Sequence, residues 1–390
     1  MTLKELKQNI HDNPLDRVPM ELHNKISTGD LFIDIHTHVF TKDDVPNKYL
    51  GIRLPFTGRF LGKVGNILHN LNRKTDDDKM SRLAYFVKII NRRTSEDIYK
   101  LLEKYYESNS LFGVLMMDMR EGIGGKLIRN LEAQMDVIKT LRNAYPAKIL
   151  PYMAIDPRRT NALELFNKAF SRHESYQFFG LKVYPSLGYL PSHPTLMQIF
   201  EICQEKKIPV LSHCSGATVH SSDHWIKNIE GVKFKPDGSE YTKRVNKFFL
   251  GKKAYASFFN TPRNWEPVLR KFPDLRLNLA HFGGDVEWES FLEGKSNTWV
   301  ARIIDFLYRY PQVYTDFAYT LTDHRFAFRL KQMMEDNHLI AERTLFGSDY
   351  YMLVREGHYR NLLASFRSIM GDKLMTKLAT ENPLRHLFGN

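Results

Sequence analysis

The stretch Leu31-Phe-Ile-Asp-Ile-His-Thr-His-Val39 decides the fold of this chain. Apolar residues, interrupted only by Asp34, lead directly into His36 and His38, which predicts a β-strand that ends in two histidines. Side chains two residues apart on a strand point to the same face, so both imidazoles project together. Two converging neutral imidazoles favour a metal site, and zinc suits them. The alternative is a chance pair of histidines at a strand edge, so further ligands must come from elsewhere in the chain.

Length and composition are those of a folded enzyme. The chain has 390 residues, 43% hydrophobic and 26% charged, which fits a single α/β barrel domain over 1–390. Cys203 and Cys214 are the only cysteines and form no CxxC pair, so neither a disulfide framework nor a cysteine zinc site is expected. The amino terminus lacks the apolar core of a secretion signal, and no apolar run reaches the roughly 18 residues of a membrane helix. We therefore expect a cytoplasmic protein without a membrane span.

Eight predicted strands are separated nearly throughout by helical patterns. Strand–helix alternation is typical of a parallel sheet, and eight such units in a chain of this length favour closure. We therefore predict an α/β fold, a (β/α)8 TIM-type barrel. The predicted strands are residues 31–38, 112–118, 147–155, 177–184, 208–213, 275–281, 312–316 and 343–349.

Three segments depart from this alternation. Residues 1–30 are predicted to form an N-terminal helical extension outside the barrel wall. Residues 40–110 are predicted to form a helical insertion after strand one, because apolar residues recur there at helical spacing. Residues 214–260 are polar and basic and form a second insertion, also predicted to be helical, after strand five. This second insertion leaves the barrel directly after His213, which predicts that it covers the barrel mouth as a lid.

Side chains able to bind a metal end several of these strands. In a closed parallel barrel, all carboxyl ends of the strands face one mouth, where active sites lie. A chance scatter of 15 histidines would rarely put four at strand ends. The six side chains expected to converge there are His36, His38, Lys182, His213, His281 and Asp349.

With these pieces in this order, the sequence resembles the amidohydrolase superfamily, specifically its amidohydrolase-2 branch. The resemblance extends over nearly the whole chain and implies a distorted form of the (β/α)8 barrel. An HxH pair alone is a weak signal, whereas the ordered set of motifs is highly specific. The motifs are Asp34-Ile-His-Thr-His38, Gly180-Leu-Lys-Val-Tyr-Pro185, Pro209-Val-Leu-Ser-His213, Ala280-His-Phe-Gly-Gly284, Leu345-Phe-Gly-Ser-Asp349 and Asn382-Pro-Leu-Arg-His-Leu-Phe-Gly389.

The resemblance implies a role for each of these side chains. His36, His38 and His213 bind a divalent metal, zinc first and manganese or iron as alternatives, with Asp349 beside them. The ion polarises the substrate carbonyl and lowers the pKa of water, while Asp349 moves a proton from the water to the leaving group. In one-metal members His281 holds or polarises the water, and in two-metal members it ligates the second ion.

Lys182 has two interpretations. In this superfamily a lysine at the end of strand four can carry a carbon dioxide adduct, and the carbamate then bridges two metals. Alternatively, an ordinary ammonium binds a substrate carboxylate or pairs with a neighbouring acid. Because the branch contains many one-metal enzymes, we favour one ion with an unmodified Lys182, and expect two ions if Lys182 is carboxylated.

Other residues are candidates for the same mouth. Arg158, after strand three, is a candidate for binding a substrate anion, although it also suits a helix cap or a surface ion pair. Tyr184 is a candidate for lining the pocket or for plain packing. Asp316 and Asp285 are candidates for orienting His281 or bound substrate.

These implications predict a metal-dependent hydrolase that attacks a C–N or C–O bond of a small, anionic substrate. Nonoxidative decarboxylases and hydratases of the same branch reuse these ligands, so both reactions stay open. The net charge of +12 is also compatible with nucleic-acid binding through the basic stretch 227–253 of the second insertion, but the basic residues are spread along the chain, which disfavours it. We expect no membrane partner, and a homodimer is compatible with barrels of this kind.

Overall fold

A barrel of eight parallel strands lies at the centre of the structure. The computed structural model describes residues 2–47, 79–216, 225–226, 229–234, 239–245, 248–249 and 252–389. Each barrel strand pairs in parallel with the next one along the chain. The barrel strands, numbered one to eight, are Phe32–Thr37, Ser110–Leu115, Ile149–Ala154, Gly180–Val183, Val210–Ser212, Leu277–Leu279, Val313–Asp316 and Thr344–Leu345.

Strand eight returns to strand one and closes the barrel. The amide of Ile35 donates to the carbonyl of Phe346 at 3.1 Å, and the amide of Asp349 donates to the carbonyl of His36 at 2.8 Å. The predicted (β/α)8 TIM-type barrel is confirmed. The closure also determines the site, because it brings the histidine motif of the first strand next to the aspartate that follows the last strand.

Helices surround the barrel and bury its strands on both faces, which is why the strands are continuous apolar runs in the sequence. None of the described helices is long and apolar enough to cross a membrane. The helices are Leu3–Gln8, Met20–Thr28, Lys79–Ile90, Ser95–Glu103, Arg120–Ile123, Leu131–Ala144, Ala162–Phe170, Pro194–Glu205, Lys252–Asn260, Glu266–Lys271, Asp285–Leu292, Trp299–Arg309, His324–Asp336, His338–Arg343, Tyr359–Thr376 and Asn382–Phe388.

The second helix of the N-terminal extension, Met20–Thr28, lies beneath the barrel rather than beside its wall. Leu22 and Ile26 of the helix Met20–Thr28 pack with Ile33 of strand one and with Leu387 of the final helix. Burying such a side chain fully stabilises the fold by roughly 1.5–3 kcal/mol. The extension therefore closes the amino-terminal end of the barrel, opposite the end that carries the histidines.

The first insertion is helical where the structure describes it. Of residues 40–110, the helices Lys79–Ile90 and Ser95–Glu103 are described, and residues 48–78 lie outside the described part. Thr94 and Asp97 form a capping box at the start of the second helix, which satisfies two otherwise unpaired amides.

The second insertion differs from the helical segment that we predict. Its described parts contain two antiparallel pairs before a single helix, Lys252–Asn260: Trp225–Ile226 pairs with Phe248–Phe249, and Ile229–Phe234 pairs with Glu240–Val245. The longer pair is rich in β-branched and aromatic residues, which favour strands over a helix. Residues 217–224, 227–228, 235–238, 246–247 and 250–251 lie outside the described part.

This insertion packs on the loop that follows strand four. Ile229 forms a buried cluster with Leu190 and Phe259, and the amide of Val232 donates to the carbonyl of Ser192 at 2.7 Å. The described part of the insertion is thus attached to a loop at the carboxyl end of the barrel.

Candidate metal centre

Six side chains that the sequence singles out lie together at the carboxyl end of the barrel. They come from strands one, four, five, six and eight, and each is at most 8% exposed although all six are polar. Buried polar groups in such number need partners or a ligand. The six are His36, His38, Lys182, His213, His281 and Asp349.

The tightest group in the described residues is His36, His281 and Asp349, whose ligand atoms all lie within 4.8 Å of one another. His38 adjoins it, with Nε2 3.3 Å from Oδ1 of Asp349. His213 adjoins the group on the other side, with Nδ1 3.0 Å from Nε2 of His281. His281, which the resemblance makes a ligand only in two-metal members, is therefore more central than His213 here.

Hydrogen bonds define which nitrogen of two rings carries the hydrogen. His38 Nδ1 donates to the carbonyl of Leu115 at 3.1 Å, and His281 Nδ1 donates to the carbonyl of Ala318 at 2.9 Å. A carbonyl can only accept, so both Nδ1 atoms carry a hydrogen and each neutral ring presents a lone pair at Nε2. His36 has the same arrangement, because its Nδ1 lies 3.1 Å from the Asp316 carboxylate.

These lone pairs fit a divalent cation. Nε2 of His36 and of His38 lie 3.7 and 3.3 Å from Oδ1 of Asp349, so acceptors face an acceptor with no hydrogen between them. Because His281 Nε2 accepts from His213 Nδ1, the buried Nε2 of His213 keeps a lone pair without a hydrogen-bond partner among the described residues. Imidazole nitrogens with a carboxylate oxygen are the donor set that zinc, manganese or iron binds.

The protonation states agree with this donor set. Burial and the nearby charge of Lys182 lower the pKa of His36 to about 4, and burial lowers the pKa of His213 well below its ordinary value. Burial raises the pKa of Asp349, but its contacts with the neighbouring imidazoles of His38 and His36 outweigh burial, so the net pKa is lowered. Neutral imidazoles and an ionised carboxylate are the forms that ligate metals.

Asp316, on strand seven, holds two of the histidines in place. Its Oδ2 faces His36 Nδ1 and accepts from the Asn278 amide at 2.8 Å, and its Oδ1 accepts from the backbone amide of His281 at 2.9 Å. The sequence suggests Asp316 as an orienting residue for His281. The structure adds that the ring oriented by Asp316 is that of His36, whereas His281 is held through its backbone.

Comparison with known proteins identifies the family. Residues 33–389 match the family described as Amidohydrolase (Amidohydro_2), a span that begins inside strand one and ends just after the final helix. The chain belongs to the amidohydrolase family. Its members are metal-dependent enzymes that include hydrolases and decarboxylases. The resemblance drawn from the motifs is thereby confirmed.

Solved structures share the fold of this amidohydrolase. An uncharacterised TIM-barrel protein of Bordetella bronchiseptica is 14% identical over 92% of this chain and 98% of that chain, with a TM-score of 0.52. The probable 2-pyrone-4,6-dicarboxylic acid hydrolase of Acinetobacter baumannii, with citric acid bound, is 12% identical over 92% and 99%, with a TM-score of 0.50. The 5-carboxyvanillate decarboxylase of Sphingomonas paucimobilis is 11% identical over 91% and 98%, with a TM-score of 0.49. No curated protein matches the chain in sequence.

In this amidohydrolase the backbone of Asp349 has a left-handed conformation, with φ of 56°. Hydrogen bonds on both sides hold it there: the Ser348 amide donates to Asp34 Oδ1 at 3.0 Å, and the Tyr350 amide donates to Ser348 Oγ at 3.1 Å. Such backbone costs about 1–3 kcal/mol at a residue other than glycine and clusters at functional sites. His281 has a similar conformation, with φ of 65°.

Two tyrosines complete the support of Asp349, and the sequence gives no signal for them. Tyr106 donates to Asp34 Oδ2 at 2.5 Å, and its hydroxyl lies 2.5 Å from that of Tyr359. Burial raises the pKa of Asp34 to about 6, against the hydrogen bonds from Ser348 and Tyr106. The two tyrosines lie 253 residues apart in the chain, so only the fold brings them together.

Lys182 and Tyr184 lie beside His213. The Tyr184 ring stacks on the His213 ring with centroids 4.3 Å apart and an interplanar angle of 19°, and Nζ of Lys182 lies 5.6 Å from the Tyr184 ring centre. Nζ is buried and has no hydrogen-bond partner among the described residues. Burial lowers the pKa of Lys182 to about 8 despite the charges of Asp316 and Asp349.

Arg158 and Asp285 stand apart from the histidine cluster. Arg158 donates to Asp156 Oδ1 at 2.8 Å and to the carbonyl of Leu187 at 2.9 Å, so its charge is already paired and it links the loops after strands three and four. Asp285 begins the helix Asp285–Leu292. Burial raises its pKa.

Proposed function

We propose that this amidohydrolase is a metal-dependent hydrolase that cleaves a C–N or C–O bond of a small anionic substrate. The proposal rests on one observation: imidazole lone pairs face an ionised carboxylate at 3.3 and 3.7 Å at the carboxyl end of the barrel. A divalent ion is the ligand that such a set of acceptors favours. We propose zinc, with manganese and iron as alternatives, and one ion per chain.

His36, His38, His213 and Asp349 would hold the ion, with His281 adjoining. When bound, a divalent ion polarises a substrate carbonyl and lowers the pKa of water. Asp349 would take the proton of the attacking water at a carboxylate oxygen and then deliver it to the leaving nitrogen or oxygen. Its lowered pKa keeps the carboxylate ionised and ready to accept that proton.

Lys182 would bind the anionic group of the substrate. Its ammonium is buried and without a hydrogen-bond partner among the described residues, and a charge buried in this way is costly unless an anion meets it. Tyr184, between Lys182 and His213, would line the same side of the site. Arg158, which we also considered for the substrate, would instead position the loops that it joins.

A nonoxidative decarboxylase is the second candidate, and the same ammonium supports it. A substrate carboxylate that approaches Lys182 and the cluster is a requirement shared by a decarboxylase and by a hydrolase of carboxylated substrates. The two reactions differ in whether water enters the product.

Isotope-labelled water tests the proposal. Purified protein is assayed by elemental analysis and then incubated in ¹⁸O-water with carboxylated lactones, carboxylated amides and hydroxybenzoates. We expect bound metal and one ¹⁸O atom in the hydrolysed product. Release of carbon dioxide without ¹⁸O in the remaining product would establish the decarboxylase instead. Absence of both metal and turnover would contradict both candidates.

Metal stoichiometry determines the state of Lys182. We expect one ion per chain, no effect of bicarbonate on metal loading, and a Lys182→Ala variant that keeps its ion but binds anionic substrates at least about tenfold more weakly, as loss of a charged contact implies. Lys206→Ala, which removes another buried ammonium, paired with Asp12 at 2.6 Å, is the control and should leave both properties unchanged. About two ions per chain, rescued by bicarbonate and reduced in Lys182→Ala, would establish the carbamate.

Limited proteolysis tests whether residues 214–260 cover the barrel mouth. We expect trypsin to cleave this basic segment first, and we expect a substrate from the panel to slow that cleavage several-fold, because ligand binding stabilises the closed state by mass action. Cleavage within residues 1–30, at the opposite end of the barrel, is the internal control and should not change. Equal cleavage of 214–260 with and without substrate would show that the segment lies away from the mouth.

A further inference from the structure

The side chain of Asn260 connects the second insertion with two loops of the site. Asn260 is the last residue of the helix Lys252–Asn260, which leads from the insertion back to the barrel, and it is only 2% exposed. Its Oδ1 accepts from the amide of Ser186 at 2.9 Å, and its Nδ2 donates to the carbonyl of Ser215 at 2.9 Å. Cys214 Sγ also lies 3.6 Å from the Asn260 carbonyl, to which it donates.

These contacts occur where the pairing of strands four and five ends. The last paired residues are Val183 and Ser212, followed by one hydrogen bond from the His213 amide to the Val183 carbonyl at 3.0 Å. Beyond that point, the Asn260 amide accepts from Ser186 on one side and donates to Ser215 on the other. The Asn260 side chain thus accepts one hydrogen bond and donates another, as a peptide unit within a sheet does. It links the two loops that follow strands four and five, beyond the last paired residues of these strands.

The site residues lie directly before these contacts. Ser186 follows Tyr184 by two residues, and Ser215 follows His213 by two residues. Tyr184 and His213 are the two residues whose rings stack on each other. The loops that follow them are both hydrogen-bonded to the side-chain amide of Asn260.

The connection extends to strand six. Ser215 forms an isolated parallel bridge with Gly283, two residues after His281. The approach is so close that a Cβ at Gly284 would lie 2.3 Å from Ser215 Oγ, and Gly284 also has a φ of +81°. Three loops that carry candidate site residues are therefore linked through Ser215 and Asn260.

We propose that Asn260 is a positioning residue: it maintains the stack of Tyr184 on His213 and thereby fixes the orientation of the His213 ring, whose Nδ1 lies 3.0 Å from Nε2 of His281. A buried amide whose donor and acceptor are both satisfied holds its neighbours rigidly, and loss of one partner leaves a buried backbone group unpaired. The inference rests on the proposed function only in making His213 a metal ligand.

The test compares Asn260→Ala with Asn264→Ala. Asn264 is the matched control, because its amide donates to the carbonyls of Phe258 and Phe259 at 2.7 and 3.0 Å, at the end of the same helix, without bonding to either site loop. Proteins labelled with ¹³C-histidine are compared by NMR in the ion-free state, and His213→Gln assigns the His213 signal. We expect Asn260→Ala to shift that signal, because the Tyr184 ring current changes, and Asn264→Ala to leave it unchanged.

Zinc affinity is then measured by competition with a chelator. We expect Asn260→Ala to bind zinc roughly 10–100-fold more weakly, as loss of an orienting partner usually does, and Asn264→Ala to bind like the wild type. An unchanged His213 signal together with unchanged zinc affinity in Asn260→Ala would overturn the inference. Failure of the wild type to bind zinc, manganese or iron would instead contradict the proposed function, while the NMR comparison would still test Asn260.

A conservative variant covers the case in which Asn260→Ala does not fold. Asn260→Asp keeps the acceptor for Ser186 but replaces the donor to Ser215 by a carboxylate oxygen that repels its carbonyl. The same shift of the His213 signal is expected. A His213 signal at its wild-type position in folded Asn260→Asp would show that the contact with Ser215 does not position the ring.

Discussion

Replacing both His36 and His38 by alanine should remove the divalent ion from the protein while leaving the barrel folded. The two rings supply two of the lone pairs that face Asp349, and both are fixed by hydrogen bonds of their Nδ1 atoms to Asp316 and Leu115. We expect metal affinity to fall by more than about 1,000-fold, since loss of a mere orienting partner already costs roughly 10–100-fold.

The fold should survive because strand one keeps its backbone pairing with strands two and eight, and the buried Asp316 keeps the Asn278 side chain and the His281 amide as donors. In the ion-free protein the lone pairs of His36 and His38 oppose the Asp349 carboxylate, so their removal relieves an unfavourable contact. A bound ion at 100 times its dissociation constant stabilises a protein by about 2.7 kcal/mol. Zinc should therefore raise the melting temperature of the wild type and have no effect on that of the double variant.

Elemental analysis and thermal unfolding with and without zinc provide the measurements. His386→Ala is the control, because it removes an equally buried histidine of the final helix that packs against Tyr314 of strand seven, with ring centres 4.6 Å apart. That variant should keep its ion. A double variant that retains a full complement of metal would show that the ion binds somewhere other than this cluster.

The barrel could be predicted from the sequence because each strand is a local signal. Strands such as Ile149–Ala154 are short apolar runs between helical patterns, and closure follows from their number. The convergence of the six side chains follows from closure alone, since all carboxyl ends of the strands face the same mouth. The arrangement of the histidines within the cluster could not be predicted in this way: the central place of His281 depends on its left-handed backbone and on its hydrogen bond to Ala318.

The residues that support the site were less predictable. Asp34 lies within the histidine motif, but its partner Tyr106, and Tyr359 whose hydroxyl contacts that of Tyr106, come from remote parts of the chain, and neither tyrosine has a distinctive sequence context. Asn260 is one asparagine at a helix end, and its function depends on two loops that meet there only in the folded chain. Arg158 was suggested by its position after strand three, but the neighbouring Asp156 already pairs with it. Sequence spacing therefore locates the ends of strands, whereas pairing between loops requires the three-dimensional structure.

Replacing Asp349 by asparagine should abolish turnover while weakening metal binding less than His213→Ala does. The substituted side chain would keep the size and one oxygen of the original, but an amide cannot take a proton from water. General acid–base groups contribute about 10²–10⁴-fold to rates, and Asp349 would serve in both directions, so we expect a loss near the upper limit. The amide nitrogen can also donate to Nε2 of His38, which lies 3.3 Å from Oδ1 of Asp349, and this contact stabilises the ion-free state and lowers metal affinity modestly.

Single-turnover assays on metal-loaded protein separate these effects, because loading is measured in the same sample. His213→Ala is compared at the same metal occupancy: it removes the buried Nε2 lone pair, so its defect should lie mainly in metal affinity and be largely restored by excess zinc. The Asp349→Asn defect should persist at full occupancy, because the missing proton acceptor is not replaced by metal. Near-native single-turnover rates in metal-loaded Asp349→Asn would exclude Asp349 from proton transfer and leave His281, whose Nε2 faces the same cavity, as the group to test next.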